Sequence, residues 1–347
     1  MAYLVLSNGM SFEGQRIGAE GQPCGELVFT TGVVGYLETL TDPAYAGQIV
    51  VQTFPQVGNY GVIAEDLQGK AVVSGYVVHE LCGTPSNFRC EGTLDDYLKQ
   101  QGIPGICGVD TRELTRILRS SGPISAVICD EIPASVPQTE TVRAGCTEEV
   151  VYPAAGEKKF AITLVDYGVK KSVIDHLCSL GCEIKAVLQE TDAKAILAAD
   201  PDGVVLSPGP GDPAQMTAAV ALAQLLIGKT PLLGLGLGHQ LIALAMGAKT
   251  VHMPCSHRGS NHPVKSLANG RTYITSQNHG YAVDSATLPD SARLTFQNVN
   301  DMSCEGAEYP ALKCMTVQFE PDTLKSFIGT SFVYDRWLAM MGGNADA

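Results

Sequence analysis

The sequence predicts an α/β protein in two parts: a strand-rich N-terminal domain and a C-terminal domain with a mostly parallel sheet covered by helices. Three observations lead there. Short β-type segments separated by Gly-, Pro- and Asn-rich turns fill the first 130 or so residues. From Phe160 onward strand and helix patterns alternate, as parallel sheets require. Between them, residues 131–158 lose apolar periodicity and gain Pro, Thr and Glu, which reads as a linker. The expected domains are therefore 1–130 and 159–347.

In the N-terminal part, strands are expected at Tyr3–Leu6, Glu26–Thr30, Gln48–Thr53 and Ala71–Val78. One helix is clear. Asp110 and Glu113 form a capping-box pattern, Leu114, Ile117 and Leu118 make an apolar face, and Gly122-Pro123 stops it. In the C-terminal part, FAITLV (160–165) is a strand, and Val169, Val173, Leu177 and Leu180 repeat at helical spacing before Gly181. CEIKAV (182–187), Val204–Leu206 and Leu232–Leu233 supply further buried strands, and Ala214 to Leu226 reads as helical. Ligands of such sheets bind beyond the carboxyl ends of the strands. The turn Ser207-Pro208-Gly209-Pro210-Gly211-Asp212-Pro213 and the run Gly234 to Gly238 both fall at that edge.

Composition narrows the function classes. The 347 residues are 45% hydrophobic and 17% charged, and suffice for about two domains with their own cores. Lys+Arg of 23 against Asp+Glu of 36 gives a net charge of −13, which argues against nucleic acid and anionic membranes as partners. The N-terminal residues show no basic segment followed by an apolar core, and no run has the length of a membrane span. Eleven scattered cysteines without a CxxC pair favour reduced thiols in the cytoplasm over disulfides or zinc.

Gly234-Leu235-Gly236-Leu237-Gly238-His239-Gln240 is the most informative stretch. A strand entering a helix (His239 to Met246, closed by Gly247) through Gly-x-Nuc-x-Gly is a nucleophile elbow. The middle residue, Gly236, has no side chain and cannot attack anything. GPGDPA (209–214) fits a loose dinucleotide-binding pattern, but Pro210 and Pro213 remove amides that would face a pyrophosphate. The histidines around Ser256–Pro263 and Asn278–Tyr281, read as polar loops flanking a strand Tyr273–Thr275, match no metal-ligand spacing, so no metal site is expected. Glu320 and Asp322 share a side if the strand ending in Val317-Gln318-Phe319 continues, which makes a carboxylate pair conceivable.

Read together, these segments resemble the small subunit of carbamoyl-phosphate synthetase, a class I glutamine amidotransferase. In the N-terminal half the likeness rests on residues 25–50, FPQVGNYGV (54–62), SNFR (86–89) and GVDTRELTRILR (108–119). In the C-terminal half it rests on VDYGVKKSVI (165–174), LSPGPGDPA (206–214), residues 234–251, HRGSNHPVK (257–265) and SQNHGYAVD (276–284). The resemblance implies a domain that hydrolyses glutamine with a Cys-His-Glu triad. It also implies a tunnel that passes ammonia to a large subunit, which makes carbamoyl phosphate for pyrimidine and arginine synthesis. ATP and metal belong to that partner, so no cofactor is expected in this chain.

The triad does not carry over. The family's Cys falls at Gly236, its His at Glu320 and its Glu at Asp322, while a glutamine-contacting Ser becomes Ala44. The family's stretch after this motif is replaced by Thr323-Leu324-Lys325-Ser326-Phe327. Gly209, Gly211, Leu237, Gln240, Asn278, Gly280 and Tyr281 match positions that hold glutamine, and N–H groups at Leu237 and near Gly209 match the oxyanion hole. Cys255 lies on another segment and is not expected to replace the nucleophile. Two functions are then open: a subunit of an ammonia-dependent synthetase, or a non-catalytic glutamine-binding regulatory module.

Overall fold

A computed structural model describes residues 1–122, 124–137, 142–322 and 329–342. Pro123 and the segment Thr323–Phe327 lie outside the described residues. The chain divides into two compact units, residues 1–142 with 254–259, and residues 143–253 with 260–347.

The first unit is built on a closed barrel. Its strands run, in spatial order, Ala2–Leu6, Ser11–Gly18, Pro104–Cys107, Gly75–Val77, Ile49–Gln52, Cys24–Thr30 and Ile124–Cys129. Side chains alternate along a strand, so neighbours in sequence feed two different cores. Leu27, Ile49, Val51 and Val77 pack with Leu114 and Leu118 of the helix Thr111–Ser121. Val28, Val50 and Tyr76 pack instead with Leu37, Leu94 and Leu98. The Asp110 carboxylate accepts from the Glu113 N–H at 2.9 Å, as the capping pattern predicts.

Several local expectations need correcting. The segment 71–78 is a strand only over Gly75–Val77. Thr93 caps a helix Leu94–Gln101, ended by left-handed Gly102, that the apolar pattern does not reveal. Within the span read as linker, Val150–Tyr152 is a strand, paired antiparallel with Cys182–Leu188.

The second unit carries a ten-stranded sheet. Five strands are parallel, in the order Cys182–Leu188, Phe160–Asp166, Gly203–Leu206, Leu232–Leu235 and Cys314–Val317. Numbered along the chain that order is 2-1-3-4-5, a doubly wound arrangement whose ligand crevice lies at the carboxyl edge. Leu233, Leu235, Val205 and Val317 face the helices Lys171–Ser179 and Phe332–Ala339. Leu232, Val204 and Leu206 face the helices Thr217–Leu226 and Leu237–Ala245 on the opposite side. Antiparallel strands complete the sheet, among them two long ones, Thr250–Ser266 and Thr272–Val283. The two segments expected as polar loops, Ser256–Pro263 and Asn278–Tyr281, are therefore strand interior. The residues they bury are themselves polar, His257, Arg258 and His279, which a search for apolar runs misses.

Candidate functional site

Four parallel strands of the second unit deliver residues to one carboxyl edge. Tyr167 to Lys170 follow Phe160–Asp166, Ser207 to Gly211 follow Gly203–Leu206, Gly236 follows Leu232–Leu235, and Gln318 to Glu320 follow Cys314–Val317.

The elbow is fully formed. Gly236 has φ 54° and ψ −109°, a conformation that L residues adopt only under strain. Its N–H donates to the Val317 carbonyl at 2.9 Å, and the helix starts at Leu237. Gly234 and Gly238 are glycines for packing: a Cβ at Gly234 would lie 2.7 Å from Ile242, and one at Gly238 would overlap the Leu206 carbonyl. A Cβ at Gly236 would meet only Pro208, at 3.2 Å, so a side chain there is strained but not excluded. As the first helical residue, Leu237 has an N–H without an intrahelical acceptor.

Gly209 also serves packing, since a Cβ would come within 2.5 Å of the Tyr167 carbonyl. Gly211 takes φ 110°, in the turn that lets the chain leave the edge. Gln240 is buried, and its amide nitrogen donates to the Tyr281 carbonyl at 2.7 Å and to Gln318 Oε1 at 2.8 Å. Asn278, Gly280 and Tyr281 lie along the strand Thr272–Val283. His279 Nδ1 is 2.8 Å from the Tyr281 carbonyl, and its Nε2 is 3.0 Å from Gln277 Oε1. Gln277 in turn donates to the buried Glu305 at 3.0 Å. In the first unit, Ala44 is buried in the single turn Pro43–Tyr45, where its N–H reaches the Asp42 carboxylate at 2.9 Å.

The carboxylates do not form the conceivable pair, because the strand stops at Val317. Glu320 takes Lys170 as partner, 2.7 Å away, and Asp322 accepts from the N–H and hydroxyl of Thr330 at 2.7 and 3.0 Å. The histidine nearest the elbow in sequence is no substitute base. His239 is fully buried, held 2.8 Å from the Thr316 hydroxyl, and burial pushes its pKa down to about 3. Cys304, 3.9 Å from its other nitrogen, is buried as well, and its thiol is pushed up to about 12. Gly236 at the elbow apex thus has no side chain, and Glu320 and Asp322 each hold a partner of their own. Lys170 is the residue sequence reasoning passed over; its signal was a lysine in place of a capping side chain directly ahead of an apolar helix.

Comparison with known proteins fixes the family. The profile of the carbamoyl-phosphate synthase small chain, CPSase domain, matches residues 4–128, and that of class-I glutamine amidotransferases matches 163–340. The carbamoyl phosphate synthase small chain of Fusobacterium nucleatum is 42% identical, over 98% of this chain and 98% of its own. The chain belongs to the carbamoyl phosphate synthase small chain family. Another member, from Listeria monocytogenes, is 41% identical over 99% of this chain and 97% of its own. The pyrimidine-specific small chain of Bacillus subtilis is also 41% identical, over 97% and 95%. Both parts of a carbamoyl phosphate synthase small chain are thus accounted for, and the elbow of its amidotransferase domain carries glycine.

Proposed function

We propose that this chain serves as the small subunit of a carbamoyl phosphate synthase whose nitrogen comes from ammonia, its own glutaminase half-reaction being lost. The observation that carries this reading is Gly236, at the apex of an intact elbow. Amide hydrolysis by a triad needs a thiolate to attack, an imidazole to shuttle the proton and a carboxylate to orient the imidazole. Gly236 offers no attacking atom, and Glu320 offers a carboxylate already engaged by Lys170. Losing such a unit typically costs on the order of 10⁶ in kcat.

The subunit role is supported by the family membership and by the ordered barrel and core of the first unit. On this reading the partner is a large subunit that carries the ATP and metal sites, and the product serves pyrimidine and arginine synthesis. The eleven free cysteines suit a reducing cytoplasm. Among the described residues no helix is long and apolar enough to cross a membrane. Size-exclusion of the chain co-expressed with a large subunit tests the pairing: co-elution at micromolar concentration is expected, and separate elution would favour the non-catalytic regulatory module instead. Glutamate release from glutamine, by the chain or the complex, tests the loss of chemistry. No release above the no-enzyme control is expected.

A further inference from the structure

Arg258 is the one buried arginine among the described residues, 6% exposed on the strand Thr250–Ser266. It belongs to the stretch HRGSNHPVK (257–265), for which the loss of glutamine hydrolysis offers no explanation. Its neighbour His257 is buried as well. Successive side chains of a strand point to opposite faces, so the strand is covered on both sides here and Arg258 points away from His257.

Six other arginines show what this one lacks. Arg16, Arg89, Arg116, Arg143, Arg293 and Arg336 each have a carboxylate oxygen within 3.7 Å, and each keeps at least 18% of its side chain exposed. Water reaches those six cations in addition to their partners. Arg258 has the greatest need of a partner and the fewest means of solvation. Among the described residues its side chain makes no ion pair and no hydrogen bond, and its Nε–H is sealed from solvent without an acceptor.

A lysine or histidine so buried would shed its proton. A guanidinium does not, so the charge persists, and a buried charge without compensation is strongly destabilising. The chain carries 36 acidic residues, yet no described one is set against Arg258.

We infer that Arg258 is the seat of a small oxyanion taken from solution. The planar fork of a guanidinium presents paired N–H donors to two oxygens of a carboxylate or a phosphate. The 6% of Arg258 that stays exposed suits an ion of that size and not a protein or membrane surface. The anion compensates the buried charge, so its binding is linked to the stability of the folded chain.

Thermal unfolding of the full chain tests this, with sodium phosphate or sodium acetate replacing sodium chloride at constant ionic strength. The melting temperature is expected to rise with phosphate, with acetate or with both, and to keep rising logarithmically with concentration, as for any ligand of the folded state alone. A response to phosphate alone assigns a phosphate site, and a response to acetate alone a carboxylate site. Arg258→Met keeps the length of the stem, removes the charge and should lose the response to both anions. Arg258→Lys keeps the charge without the fork and should respond only at higher concentrations of the same anion, which covers the case in which the methionine variant does not fold. No rise with either anion in the unaltered chain, or the same rise in every variant, as a general salt effect gives, would overturn the inference. The readout is stability and not turnover, so it stands or falls separately from the loss of glutaminase activity.

Discussion

Asp322 and Thr330 close a small ring: the Asp322 carboxylate accepts from both the N–H and the hydroxyl of Thr330, and the Asp322 N–H donates back to that hydroxyl at 2.9 Å. The Asp322 carboxylate is thereby a local staple. Asp322→Ala should cost about 1–3 kcal/mol, because it strands a part-buried N–H and hydroxyl. Urea unfolding checks it, and a midpoint unchanged within error would show the staple to be idle.

The staple bears on any attempt to rebuild the triad. Gly236→Cys alone should recover little glutamate release, since the thiol has no imidazole to take its proton. Gly236→Cys with Glu320→His and Ala44→Ser is expected to give detectable turnover. With Asp322 turned toward Thr330, the imidazole is poorly oriented, so the rate should rise further when Thr330→Val is added. A coupled glutamate assay reads each step of this series.

Gly236 itself makes a stability prediction. Any side chain there must adopt φ near 54° and press on Pro208. Gly236→Ala should destabilise by about 1–3 kcal/mol, read as a lower melting temperature. A neutral or stabilising result would mean that the elbow relaxes on substitution.

His239 sets a pH dependence. Burial holds its pKa near 3 in the folded chain, against about 6.5 when unfolded. The unfolded chain therefore binds the extra proton between those values. The histidine's contribution is fully present above pH 6.5 and is lost as the pH falls toward 3, by roughly 1.4 kcal/mol per unit. His239→Gln should flatten that part of the stability–pH curve, measured by urea midpoints at pH 7, 6 and 5. An unaltered slope would assign the acid sensitivity to other groups.

The elbow and the parallel strands were legible because their signals are local. Gly234 answers to Ile242 and Gly238 within one strand–turn–helix unit, and Leu232–Leu235 is apolar throughout. The helix Leu94–Gln101 was hidden because only Leu94, Tyr97 and Leu98 are buried in a stretch otherwise polar, leaving its cap and Gly102 as the sole cues. The long strands holding Ser256–Pro263 and Asn278–Tyr281 were hidden because they bury polar side chains such as Gln277, whose partner Glu305 lies on another strand. The same limit applies at the site. The residue type at position 320 is plain in the sequence, but its pairing with a lysine 150 residues away emerges only once the strand order brings both to one edge.

The most direct test of the account is carbamoyl phosphate synthesis by this chain reconstituted with a carbamoyl phosphate synthase large subunit, assayed with glutamine and with ammonium as alternative nitrogen sources. Synthesis from ammonium with none above background from glutamine is the result expected from Gly236 and Glu320. Glutamine-supported synthesis by that complex, abolished by a substitution in this chain, would contradict it.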